Sequence, residues 1–183
     1  MTGLAAFTVL VALVGVERLA ELVVSTRNAR WSLARGGRET GRGHYPVMVA
    51  LHTGFLAAML VEAWVRRPAV PAGLAWSMLA VVLASQALRW WCIATLGRRW
   101  NTRVIVVPGL PPVTGGPYRL LRHPNYVAVI AEGIALPLVH AAWLTALGFT
   151  LANAALLAVR IRVEDAALAT LPASAGAGSG GRA

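Results

Sequence analysis

The chain has 183 residues, 57% of them hydrophobic, and a formal net charge of +10 in which every one of the 17 basic residues is arginine. A soluble domain is about half apolar. Here the mean hydropathy of +0.63 reflects long apolar runs broken by short basic loops, which excludes an ordinary soluble domain and points to a membrane protein. The arginines lie between apolar runs, where they set membrane orientation rather than build a nucleic-acid face, so no nucleic-acid partner is expected. Cys92 is the single cysteine and sits in an apolar run; it allows no intrachain disulfide and no zinc set, and no metal site is expected.

A transmembrane helix needs roughly 20 mainly apolar residues, and the apolar runs predict an all-α integral membrane bundle of about five such helices. Span one covers about Leu4–Val24, span two Tyr45–Val65 and span three Ala72–Leu96. Spans four and five cover about Tyr126–Val139 and Trp143–Val159, joined by a short link at His140 just after Pro137, so these two form a helical hairpin. The first run has no basic leader and no convincing cleavage site, which predicts a retained span rather than a signal peptide.

Arginines alternate along the loops. The first loop holds Arg27, Arg30, Arg35, Arg38 and Arg42, and the second only Arg66 and Arg67. The third holds Arg98, Arg99, Arg103, Arg119 and Arg122; the fourth holds none, and Arg160 and Arg162 follow span five. With five spans this bias places the N-terminus outside and the C-terminus in the cytoplasm of a bacterial inner-membrane protein.

The segment from Asn101 to Asn125 is too rich in proline and glycine for a long helix, and too apolar and aromatic for disorder, so it reads as a functional loop. Residues 1–171 read as a single membrane-embedded domain, and the Ala/Gly/Ser-rich stretch 172–183 as a disordered tail.

Three groups of residues carry chemistry. The run Gly116-Pro117-Tyr118-Arg119-Leu120-Leu121-Arg122-His123-Pro124-Asn125-Tyr126 leads into span four. Pro124 suits a first helical turn, whose free N–H groups suit a carboxylate. His123 and Tyr126, three apart, share a face. The plain alternative is an interfacial belt of Tyr, Arg and His. The run Arg160-Ile161-Arg162-Val163-Glu164-Asp165 closes span five. Two acids there oppose the helix dipole, so a site for a cationic ligand explains them better than a solvated helix end.

Glu132 lies inside span four, where an ionisable group is costly and functional by default; the alternative is that it caps a neighbouring helix. His52 in span two, with Gln86 and Arg89 in span three, are candidates to line the same cavity as Glu132, His52 being equally readable as a structural histidine. Glu17, Arg18 and Glu21 near the end of span one read as structural ion pairs.

The run Gly116–Tyr126, the hairpin after it and the Arg160–Asp165 segment together resemble the isoprenylcysteine carboxyl methyltransferase family. That family carries Gly-x-Tyr, Arg-His-Pro-x-Tyr, a hairpin, then an arginine followed by paired acids. The second acid here is Asp165 where glutamate is usual. Glu17-Arg18 with Glu21, the stretch Gly41–Val49, His52, Glu62 and Leu96–Arg103 are similar to a bacterial subgroup acting on long-chain alkylpyrones or alkylresorcinols made by type III polyketide synthases.

The resemblance implies an enzyme that binds S-adenosylmethionine over about residues 97–168, with Tyr118, His123, Pro124, Asn125, Tyr126 and Glu164 holding the cofactor. It implies Arg160 near the acceptor oxygen of a lipid-like substrate. Arg160, Glu132 and His123 are then the catalytic candidates, Glu132 or His123 as base for a phenol, with His52, Arg89 and Glu132 the substrate-binding ones. The chain departs from the family after Leu168, where a Gly/Ala-rich stretch stands in place of a Tyr-containing amphipathic tail. Two other readings compete: an NADPH-dependent membrane reductase of the sterol reductase type, for which the chain is short, and a non-catalytic membrane partner, which leaves Glu132, Arg160 and Glu164 without a purpose.

Overall fold

A computed structural model describes residues 2–171; the tail expected to be disordered lies outside the described residues. Five helices follow in the expected order: α1 (Thr2–Leu33), α2 (His44–Arg66), α3 (Ala72–Leu96), α4 (Pro124–Leu138) and α5 (Trp143–Leu168). The class is all-α, with two three-residue strands added: β1 (Arg38–Thr40) pairs antiparallel with β2 (Val104–Val106), Glu39 opposite Ile105. The β-branched run Val104-Ile105-Val106 supplies the strand propensity. Glu39 ties the ribbon down by pairing with Arg42 at 3.3 Å and Arg103 at 3.7 Å.

The core is a set of helical stripes. Phe7, Val11 and Val14 of α1 recur at four- and three-residue steps and meet Phe55, Met59 and Ala63 of α2, Val82 of α3, Ala135 and Leu136 of α4, and Phe149 of α5. The opposite face of α1 is equally apolar, with Val9, Leu13, Val16, Leu19 and Val23 all exposed. So are Leu144, Leu147 and Leu151 of α5. An apolar core beneath an apolar exterior is what a bilayer solvent requires. Among the described residues, α2, α3 continued to Arg99, and α5 are long and apolar enough to cross a membrane, and α4 is a shorter apolar helix. The chain is an integral membrane protein.

Two boundaries differ from expectation, and both matter for function. Span one was expected to stop near Val24, but α1 runs on to Leu33, so Arg27 and Arg30 lie on the helix. It stops where Gly36 takes φ +75° and Gly37 packs so closely that a side chain there would strike the Ser32 carbonyl. Span five was expected to end near Val159, but α5 continues to Leu168, carrying Arg160, Glu164 and Asp165 on the helix itself. At 1.5 Å per residue, α1 is about 48 Å long and α5 about 39 Å, against a hydrocarbon thickness of about 30 Å. Both helices are longer than that thickness and carry arginines near their C-terminal ends. With the β1–β2 ribbon and the 101–123 segment they form a polar cap.

At the opposite end, the α4–α5 link is made by residues 139–142. Ala142 N–H returns to the Pro137 carbonyl at 2.9 Å, and Ala141 adopts φ +52°. The start of α5 is capped by a residue from another helix. The Glu62 carboxylate accepts Thr145 N–H and Oγ1 at 2.8 Å each and Leu144 N–H at 3.1 Å, and it pairs with Arg66 at 3.3 Å. Sequence reasoning weighed such a role for Glu132; the structure gives it to Glu62. A carboxylate on two free N–H groups at the positive end of a helix is worth about 1–2 kcal/mol. Glu62→Ala is accordingly expected to lower unfolding stability in detergent by about that amount, with Glu62→Gln milder. An unchanged denaturation midpoint would remove the cap from the account.

Candidate functional site

Two polar centres occupy the bundle. The first lies among α1, α3 and α4. Arg18 reaches Glu21 at 2.7 Å, Gln86 at 2.9 Å, Glu132 at 3.3 Å and Glu17 at 3.4 Å. Arg89 reaches Glu132 at 3.1 Å and Glu21 at 3.7 Å. Gln86 and the Trp90 indole N–H both donate to Glu17, the latter at 2.6 Å. Three acids and two arginines from three helices thus share one buried network. The pairs expected within α1 are there, but they extend across to α3 and α4. His52 is elsewhere: its Nδ1 is bonded to the Met48 carbonyl at 2.9 Å and its ring lies edge-on to Phe149. Of the residues expected to line one interior cavity with Glu132, Gln86 and Arg89 do share its network, while His52 has no hydrogen bond to it.

The second centre sits in the cap. It is a cavity of about 530 Å³ between the α1 end, the β2 strand, the 101–114 segment and the α5 end. Tyr118, His123, Glu164 and Asp165 line it, together with Arg99, Arg103, Arg122 and the rim of Arg160. The His123 ring stacks on Tyr126 with centroids 5.4 Å apart. His123 Nε2 is 3.1 Å from Asp165, and its Nδ1 is 3.9 Å from Glu164. The Tyr126 hydroxyl donates to the Glu164 carboxylate.

Arg160, buried, holds the junction together. Its Nε donates to the Tyr126 hydroxyl at 2.9 Å, its Nη2 to the Thr102 carbonyl at 2.6 Å, and its Nη1 lies 3.0 Å from the Met48 sulfur. Burial, and then the neighbouring Cys92, push the Tyr118 phenol well above its ordinary pKa, so it stays neutral.

Six of the expected site residues meet here: Tyr118, His123, Pro124, Tyr126, Arg160 and Glu164. Pro124 is fully buried at the first turn of α4, directly after His123 in the chain. The Asn125 Oδ1 is buried without a partner among the described residues. The α4 N-terminus offers less to an anion than its sequence suggests, because the Tyr126 N–H turns back to the His123 carbonyl at 3.1 Å. Glu132, Arg89 and His52 do not line this cavity.

Sequence reasoning missed Ser32, Asn101, Thr102 and Met48. Asn101, Thr102 and Met48 fall in stretches that carry the family resemblance, but nothing in the sequence singled out Ser32. It reaches the cavity only because α1 runs nine residues past the expected end of its span, Val24 to Leu33.

An apolar groove of about 860 Å³ runs between α2 and α5, with small residues that include Ala50, Gly54, Ala58 and Gly148 in its lining. It begins at Val47, the neighbour of Met48.

Residues 78–170 match the sequence model of the isoprenylcysteine carboxyl methyltransferase family. The chain is 38% identical over 162 residues to the uncharacterized protein YpbQ of Bacillus subtilis, covering 88% of this chain and 96% of that one. It is 26% identical over 155 residues to an uncharacterized protein of Haemophilus influenzae, covering 84% and 90%. No solved structure gives a significant match.

Proposed function

The chain belongs to the isoprenylcysteine carboxyl methyltransferase family and is a membrane methyltransferase; on that premise we propose that it moves a methyl group from S-adenosylmethionine to an oxygen of a lipid-like acceptor. A long-chain alkylpyrone or alkylresorcinol fits best, with an isoprenylcysteine carboxylate as the second acceptor class. The arginine-rich cap faces the cytoplasm in this reading, with the N-terminus outside.

The cap cavity fits the cofactor in size and in chemistry. About 530 Å³ is within the range of small-molecule sites. Glu164 and Asp165 suit an ammonium group and a sulfonium, and the rim arginines Arg99, Arg103 and Arg122 suit a carboxylate. The lining also carries buried polar atoms that lack partners among the described residues, on Ser32 and Asn101. Such atoms are costly unless a ligand meets them.

When bound, the cofactor supplies a methyl carbon on a cationic sulfur, which an acceptor oxygen displaces while the bonding pair leaves with the sulfur. The protein's part is alignment and exclusion of water. Arg160 orients the acceptor oxygen by charge-assisted hydrogen bonds, and Tyr126 and Tyr118 present rings toward positive charge. A carboxylate or acidic enol acceptor arrives already ionised. A phenol must lose its proton. His123 is better placed to take it than Glu132, whose carboxylate is drawn to two guanidiniums. The groove that starts beside Met48, itself in contact with Arg160, suits the acceptor's chain; His52, Arg89 and Glu132, expected to bind the substrate, are not among its lining residues.

The observation that carries this reading is the chain of contacts from Arg160 through Tyr126 to Glu164, with His123 stacked on Tyr126, at one wall of the cavity. Purified protein incubated with methyl-labelled cofactor and a panel of alkylresorcinol, alkylpyrone, prenylcysteine and phospholipid amine tests it. Label in an O-methylated lipid is the expected result, and label in none of the panel would overturn the assignment. Arg160→Lys keeps the charge but loses the planar fork that reaches three partners at once. Its kcat on the accepted lipid should fall about 100-fold.

A further inference from the structure

One face of α1 forms a polar rail against the 97–102 segment. Ser25 Oγ accepts the Thr102 N–H at 3.0 Å and shares a hydroxyl contact with it at 2.8 Å. One turn on, Asn28 donates to the carbonyls of Trp100 at 2.8 Å and Gly97 at 3.1 Å. These two rungs fix the backbone on either side of Asn101. The next rung is Ser32, four residues beyond Asn28 on the same face. Its side chain is almost completely buried, yet its Oγ has no partner among the described residues. Asn101, held between the anchored Trp100 and Thr102, leaves both its Oδ1 and its Nδ2 buried and unpartnered among the described residues.

Ser32 and Asn101 both line the cap cavity. Beside them the walls are apolar: Val104, Val107, Leu110 and Pro111. A side-chain amide with donor and acceptor both free, held rigidly among apolar walls, matches a flat ring that presents an acceptor beside a donor. Adenine does this along the edge that carries its 6-amino group and N7, and a paired asparagine contact to that edge is worth about 1–3 kcal/mol of discrimination.

We propose that Asn101 is the base-reading residue of the methyltransferase, recognising the 6-amino edge of the donor's adenine, with Ser32 of α1 hydrogen-bonding the same nucleoside. This rests on the S-adenosylmethionine reading above. It assigns part of the donor site to α1, outside the 78–170 segment that matches the family. Glu164 and Asp165 then face the amino-acid end of the donor, and Asn101 the nucleoside end.

Calorimetric titration of the purified full chain in detergent tests this without turnover, with S-adenosylhomocysteine and its 6-oxo (inosine) counterpart as probes. Along the edge that carries N7, the 6-oxo ring puts an acceptor beside the N7 acceptor and leaves no donor for the amide oxygen. Wild type should prefer the adenosine compound by about 5- to 150-fold, the equivalent of that discrimination. Asn101→Ala should lose most of that preference while its ligand-free melting temperature stays close to wild type, because the amide has no partner among the described residues to lose. Ser32→Ala should weaken both compounds by a similar factor and leave the preference intact.

Equal binding of the two compounds by wild type, which needs no variant to fold, overturns the proposal while leaving the cofactor reading in place. So does an Asn101→Ala protein that keeps the full preference. Binding of neither compound by wild type overturns the cofactor reading itself, and this assignment with it.

Discussion

Glu164→Ala and His123→Ala are each expected to abolish detectable methyl transfer while the chain still inserts and folds. Glu164 accepts the Tyr126 hydroxyl, and Tyr126 in turn accepts from Arg160. Removing the carboxylate frees that hydroxyl, unsettles the arginine, and deletes an acid proposed to hold the cationic donor. His123 stacks on Tyr126 and is bonded to Asp165, so its loss releases the same wall from the other side. Groups that align reactants and stabilise charge together fail together, and rate losses of 100-fold or more, on the order seen for single electrostatic contacts, are expected for each. Neither residue belongs to the apolar core, which is built from Phe7 to Phe149 along the five helices. Melting temperature and membrane fraction should therefore stay near wild type. The check is initial rate with labelled donor beside a thermal melt; wild-type turnover by both variants would contradict the site assignment.

The second large effect is on stability. Glu132→Leu takes from Arg18 and Arg89 a carboxylate they share and leaves Glu21 as the one acid that meets both. Breaking a buried pair by removing one partner costs about 3–5 kcal/mol, because the remaining charge stays desolvated. Glu132→Gln keeps the shape and a hydrogen bond and should cost less. Removing the opposing charge as well, in Glu132→Leu with Arg89→Leu, should recover part of the loss. Unfolding in mixed detergent micelles measures all three, and the double variant separates a charge effect from a packing one. If Glu132→Leu unfolded like wild type, the network would carry no structural weight.

Much of this architecture was legible from hydrophobic runs and punctuation. The span-three boundaries, Ala72 to Leu96, coincide with α3 because Pro71 and Gly97 stop the apolar run at both ends. The hairpin was readable from Pro137 and the short link around His140. Helix ends without such breaks were not. Nothing stops α1 at Val24 or α5 at Val159, since no proline or glycine follows before Gly36 and Pro172 respectively. That continuation brings Ser32 of α1 into the same cavity as Glu164 and Asp165, the acids already expected at the end of the last helix. The β1–β2 ribbon is equally non-local: three residues after α1 find three after α3, and neither segment announces its partner.

At the level of residues, Arg160, His123, Tyr126 and Glu164 were readable because charged and aromatic groups beside an apolar span have few inexpensive roles. Glu62 and Glu132 show where that reasoning stops. Both are buried acids in apolar helices, and composition alone does not say which one caps a helix and which one joins an ion network. The answer depends on which helix end or guanidinium packs nearby. Asn101 is harder still, since what marks it is a lack of partners, visible only once the surrounding backbone is in place.

Titration of S-adenosylmethionine into the purified wild-type chain, in detergent or in lipid nanodiscs, tests the central claim most directly. Saturable binding of one molecule per chain, lost in Glu164→Ala, is the result the cap cavity predicts. Heat no different from dilution at any donor concentration would contradict it, however well the helical bundle sits in the bilayer.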